Sequence, residues 1–144
     1  LIILLCVSTA SSQEKELANE YYNQGEFGKA AEIYEHLSKN KENSLAIHDY
    51  YVNALMRLKE YDKASKFLIQ EIKRYPDLIK FQADMAYLLE ISNKPKEAEV
   101  AYKNLIKAAS IKDNYVYQLQ NFFYKTNKME MLIEMLLLSR YRSK

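Results

Sequence analysis

At 144 residues, with 49% hydrophobic and 28% charged side chains, the chain has room for one folded domain or one short repeat array; a second catalytic domain and wholesale disorder are both excluded. A formal charge of +2 is too small to draw it to nucleic acid or anionic lipid by field alone, so no nucleic-acid partner is expected. Two Gly and two Pro leave little turn chemistry for a sheet protein and favour long helices, and a single cysteine, Cys6, cannot form an internal disulfide.

Residues 1–7 form an apolar run, followed by the small residues Ser8, Thr9, Ala10, Ser11 and Ser12, with charge beginning only at Glu14. This is the pattern of the later part of a secretory signal peptide, and cleavage is expected after Ala10 or Ser12. Leu5 before Cys6 argues against lipidation, since a small residue is wanted there. Neither an initiator Met nor a basic stretch precedes the run, which reads as a sequence lacking its first few residues. Seven apolar residues fall far short of the ~20 that span a bilayer. Residues 1–12 are therefore expected to be a targeting segment of bacterial style, and the remainder an exported periplasmic or cell-surface domain.

From residue 13 onward a period of 34 governs the chain. Ala30, Ala64 and Ala98 are followed at the same step by Leu132, and one helical turn later come Tyr34, Leu68, Tyr102 and Leu136. Upstream, Tyr21, Leu55, Leu89 and Phe123 keep the period, as do Leu17, Tyr51, Met85 and Leu119. The pattern predicts four helical hairpins at 13–44, 45–78, 79–112 and 113–144, the last degenerate because Leu132 replaces the alanine. Their helices are expected at 13–24, 28–40, 45–58, 61–74, 78–91, 95–109, 112–126 and 128–141. In each hairpin a large residue of the first helix packs on the alanine of the second, whose small side chain lets the axes approach. Gly25, Lys59, Asn93 and Asn127 end the first helices; Gly and Asn suit the left-handed conformation there, and Lys59 fits it less well. Pro76 and Pro95 are expected at helix starts. Residues 129–138 carry eight apolar side chains in ten, so the last helix is expected to self-associate or to be covered by further repeats beyond Lys144.

The run from Tyr21 through Gly25, Phe27, Ala30 and Ala31 to Tyr34 resembles the core of a tetratricopeptide repeat, and Leu58-Lys59-Glu60-Tyr61-Asp62-Lys63-Ala64, with Pro76 twelve after the alanine, resembles a second. The resemblance spans 13–112 strongly and 113–144 weakly. It implies an all-α, right-handed superhelical solenoid of antiparallel hairpins that acts as a protein-binding scaffold. Val52 and Gln120 depart from it, standing where a small residue belongs in the first helix.

In such proteins the first helices line a concave groove. The resemblance places on that face Lys15, Asn19, Tyr22 and Asn23, then Asn53, Met56 and Arg57, with Asp49 beside them. Lys80, Tyr87 and Glu90 follow in the third hairpin, and Tyr117, Asn121, Tyr124 and Lys125 in the fourth. Asn19, Asn53 and Asn121 recur once per hairpin, and a primary amide can pair with peptide backbone of any sequence. Tyrosine and Met56 add adaptable apolar contact. A clamp for a C-terminal carboxylate, known in cytosolic members, matches at Lys15, Asn19 and Lys80, but Tyr50 and Asp84 stand at its other places and Asp84 would repel the carboxylate.

Catalytic ingredients are sparse. His36 and His48 lie on different helices without metal-ligand spacing and read as solvent-facing. Gly25 and Gly28 form no phosphate loop, since no strand precedes them and no Lys-Ser/Thr pair follows. An enzyme, a metal, a cofactor and a small-molecule substrate are not expected. RNA-binding helical repeats are disfavoured by the period and the weak charge. The alternative role is the N-terminal docking or sensor segment of a longer enzyme or signalling protein.

Overall fold

The computed structural model describes residues 2–142, and the side chains of 11–141. The described residues are all-α, without strands: α1 (Ile2–Asn23), α2 (Phe27–Leu37), α3 (Lys41–Arg57), α4 (Tyr61–Arg74), α5 (Lys80–Ile91), α6 (Pro95–Ala109), α7 (Asp113–Lys125) and α8 (Met129–Arg142). Helix α1 begins eleven residues before the expected start at 13, because no Gly or Pro interrupts residues 2–23. The side chains of 1–10, most of the expected targeting segment, lie outside the described residues.

The second helix of each pair starts at Phe27, Tyr61, Pro95 and Met129, at intervals of 34 residues. One local device sets this spacing. Gly25, Lys59, Asn93 and Asn127 are left-handed, with φ of 79°, 59°, 64° and 57°. The next amide in each case bonds back to the helix it leaves: Glu26 N to Tyr21 O, Glu60 N to Leu55 O, Lys94 N to Leu89 O and Lys128 N to Phe123 O, at 2.8–2.9 Å. That six-to-one bond satisfies a carbonyl orphaned by the helix end and turns the chain sharply. Gly adopts the conformation freely and Asn tolerates it, but a lysine there carries a cost of about 1–2 kcal/mol. Lys59→Gly is therefore expected to stabilise the protein by about 0.5 kcal/mol or more after the extra chain entropy of glycine is subtracted. Paired thermal melts check this, and a lower Tm in the variant would contradict it.

Two starts differ from expectation. Helix α3 begins at Lys41 instead of 45, because Asn40 caps it, its side-chain oxygen accepting from Glu42 N and Asn43 N at 2.9 and 3.1 Å. Pro95 is in the first turn of α6, as expected, but Pro76 lies in the turn four residues before α5. There Gln118 of α7 donates to Asp77 O at 3.2 Å and accepts from Lys80 N at 3.5 Å, which fixes where α5 starts.

The chain forms two compact units, Leu1–Phe67 and Leu68–Lys144. In the first, α1, α2 and α3 pack on one another, burying Ala18, Ala30, Tyr34, Leu37, Ile47, Tyr51, Val52 and Leu55 with Ala64 and Phe67. His48, expected to face solvent, is buried in this unit, its ring 5.5 Å from that of Phe67, which also meets Tyr51 at 4.8 Å. Its place one turn from Ser44 and three residues before Tyr51 puts it on the inner stripe of α3. His36 is exposed, 3.1 Å from Glu14.

In the second unit α5 to α8 enclose a continuous core of Ile79, Ala83, Ala86, Ala98, Tyr102, Leu105, Ile106, Ala109, Leu119, Phe123, Leu132 and Met135. Of the tyrosines expected in packing columns, Tyr34, Tyr51 and Tyr102 are buried, and Tyr21 is half-buried. Leu17 and Leu136, members of the same columns, are exposed. Helix α8 turns Leu132 and Met135 inward and leaves Ile133, Leu137, Leu138 and Tyr141 to solvent.

Candidate functional site

Some of the residues placed on the groove face come together, in one cluster in each unit. In the first unit, Asn19 and Tyr22 project from α1, and Asn53, Met56 and Arg57 from α3. Tyr22 OH donates to Asn53 Oδ1 at 2.7 Å, and Tyr34 OH, from α2, donates to Asn19 Oδ1 at 2.6 Å. Both amides are thereby held by their oxygens, and their N–H groups make no hydrogen bond among the described residues. Tyr22 meets Phe27 and Tyr50 edge-on at 5.3 and 5.1 Å, Tyr50 stacks on Tyr34 at 6.3 Å, and Arg57 lies over the Phe27 ring at 5.9 Å. Edge-to-face and cation–π contacts of this kind fix side-chain orientation with little entropy left to lose.

Burial raises the Tyr22 hydroxyl pKa, Arg57 lowers it and Tyr50 adds to the rise, leaving it above its ordinary value. The Tyr34 hydroxyl is pushed up further by burial and by its two tyrosine neighbours. Beside them Tyr51 is raised to about 12 by burial, then by Glu35 and Glu60. These phenols remain protonated at neutral pH, which is what donating to an amide oxygen requires. Tyr50 belongs to this cluster although sequence reasoning did not place it there. Its position three residues before Asn53, on one face of α3, was the available signal.

Lys15 is half-buried on α1, Asn23 is exposed at its end, and Met56 is half-buried on α3. None is joined to the tyrosine–amide pairs by a hydrogen bond.

In the second unit, Tyr117, Asn121 and Tyr124 line a hollow of about 230 Å³ with Gln120 and Leu132. Their spacing of four and then three puts them on one stripe of α7. Tyr117 is 76% and Tyr124 68% exposed, Asn121 and Gln120 are exposed, and Leu132 is the buried floor. Sequence reasoning missed Gln120 and Leu132, having read the first as a departure from the repeat and the second as packing alone.

Lys80 and Tyr87 on α5 are half-buried, and the Lys80 ammonium sits 5.6 Å from the Phe81 ring. Glu90, also placed on the groove face, is occupied internally. Its Oε2 accepts from Tyr102 OH and from Lys128 Nζ, both at 2.7 Å.

The arrangement can offer amide donors, aromatic faces and a few cations to an extended ligand. Comparison with protein-family models, with curated proteins and with solved structures yields no match.

Proposed function

We propose that the chain is an interaction scaffold of tetratricopeptide type, its 34-residue hairpins stacked as a right-handed solenoid, that holds a polypeptide along the first helices of the hairpins. The recurrence of the left-handed turn at Gly25, Lys59, Asn93 and Asn127 supports the repeat architecture. The observation that carries the binding role is the fixing of Asn19 and Asn53 by tyrosine hydroxyls. With each oxygen engaged, what the amide presents is a pair of donors already oriented, and backbone carbonyls are the acceptors every polypeptide supplies. Preorganised donors flanked by aromatic rings suit a ligand bound chiefly through its main chain.

Selection from an unbiased peptide library with the 144-residue chain, followed by titration of the enriched peptides, tests this. Asn53→Asp keeps the acceptor for Tyr22 but removes both donors and sets a negative charge against carbonyl oxygens; about tenfold weaker binding is expected. Tyr87→Ala is expected to weaken binding as well, with helicity unchanged by circular dichroism. No enrichment, or affinities equal to wild type in both variants, would overturn the reading.

A further inference from the structure

The hollow on α7 differs in one respect from the tyrosine–amide cluster of the first unit. There the hydroxyls and amide oxygens engage one another, but the side chains of Tyr117, Gln120, Asn121 and Tyr124 make no hydrogen bond among the described residues and stand open to solvent. Two rings, two amides and an apolar floor thus converge with all their recognition capacity unspent.

The spacing of the rings selects the ligand conformation. Tyr117 and Tyr124 are seven residues apart on a helix, hence about 10.5 Å along its axis. A polyproline II strand repeats a face every three residues, about 9.3 Å. A β-strand returns to one face at about 6.6 Å or about 13 Å and matches neither ring pair well. A partner helix has a suitable seven-residue repeat, but it needs a broad aliphatic groove, and here Leu132 is the one aliphatic side chain among two rings and two amides. Proline rings seated against tyrosine faces, with an intervening carbonyl accepting from Asn121 or Gln120, satisfy both the spacing and the chemistry.

Charge defines the rest of the ligand. Residues 68–144 hold thirteen Lys and Arg against nine Asp and Glu, an excess of four positive charges. Lys125, exposed and next to Tyr124, has no carboxylate partner among the described residues. We propose that the α7 hollow is a docking site for a proline-rich, acidic peptide segment in polyproline II conformation, with tyrosines 117 and 124 cradling successive proline turns and Lys125 meeting a carboxylate beyond them. This rests on the polypeptide-binding reading above and names its partner at one of the two clusters.

The test is fluorescence anisotropy with the full chain and three labelled dodecapeptides: Ala-Pro-Pro repeats ending in Asp-Asp, the same repeats ending in Lys-Lys, and an Asp-Asp peptide with every proline replaced by alanine. The first is expected to bind best, and each control about tenfold more weakly. Tyr117→Ala and Tyr124→Ala are each expected to lower affinity for the first peptide about tenfold, Tyr→Phe at either place to retain most of it, and Lys125→Glu to abolish the preference for the acidic end. All three positions are exposed, so circular dichroism should show these variants folded. Equal binding of the alanine peptide, as a helical ligand would give, would overturn the proposal. So would binding of a neutral hexasaccharide at the same tyrosines in place of any peptide, or binding of no peptide of the three. Should library peptides without proline still bind through Asn53, the scaffold reading stands and only this proposal falls.

Discussion

Ala64→Arg is expected to lower the melting temperature by about 10 °C or more, the largest effect of any single change considered for this protein. Ala64 is completely buried in α4. It has the same relation to its turn as Ala30 and Ala98: in each case the alanine amide donates to the carbonyl of the residue just after the left-handed one, Glu26, Glu60 or Lys94, at 3.0–3.1 Å. A guanidinium placed there adds overpacking of about 1–3 kcal/mol and the cost, on the order of several kcal/mol, of removing a charge from water without a partner. A chain of 144 residues loses roughly 2–4 °C of Tm for each kcal/mol. Val100→Arg is the matched control, on an α6 side chain that is mainly exposed, and should change stability by no more than about 0.5 kcal/mol. Thermal melts of the two variants beside wild type decide the matter. Equal melting temperatures for Ala64→Arg and Val100→Arg would mean that the alanine position is not the tight one.

The helical class and the places where hairpins turn were legible in the sequence because each depends on residues that act locally. Gly25, Asn93 and Asn127 can enter the left-handed region at low cost, and an alanine every 34 residues marks where two helices approach. What the sequence hid were interactions made across helices. Nothing in the local pattern around Asn19 or Asn53 says that a tyrosine hydroxyl from another position will take the amide oxygen, converting a two-sided hydrogen-bonding group into a donor. The same holds for Gln118, whose side chain fixes the start of α5 from 38 residues away. His48 was misread for a related reason. It stands three residues before Tyr51 and seven before Leu55, on their buried stripe, and the ring of Phe67 from another helix lies against it. Tyr117 and Tyr124 stand exposed on one stripe of α7, but the hollow beside them needed the position of Leu132 on a second helix.

Glu90 supplies the clearest pH dependence in the second unit. Burial alone would raise its pKa, but hydrogen bonds from Lys128 and Tyr102, together with the Lys128 charge, outweigh that and hold it below the ordinary value of 4.5. A carboxylate with a depressed folded-state pKa contributes stability that is complete above its unfolded pKa and is lost as pH falls through the folded one. Its contribution is thus present at neutral pH and disappears on acidification below about pH 4. The partners make the loss costly. The Lys128 side chain is only 14% exposed and its ammonium lies 4.7 Å from the Tyr102 ring centroid, and Tyr102 itself is buried. Glu90→Ala removes the acceptor of both donors; because the carboxylate is itself 41% exposed, water takes up part of its place, and the expected cost is about 1–2 kcal/mol at pH 7, with a Tm lower by roughly 5 °C. Glu90→Gln keeps a neutral acceptor for Tyr102 and loses only the charge, so it should fall between the two at pH 7 and converge on wild type as the pH approaches 3. Denaturant unfolding of all three proteins between pH 3 and pH 7 measures both effects. A wild-type and Glu90→Gln difference that stays constant across that range would show that the Lys128–Glu90 pair contributes nothing through its charge, and the stabilising role assigned to it would be lost.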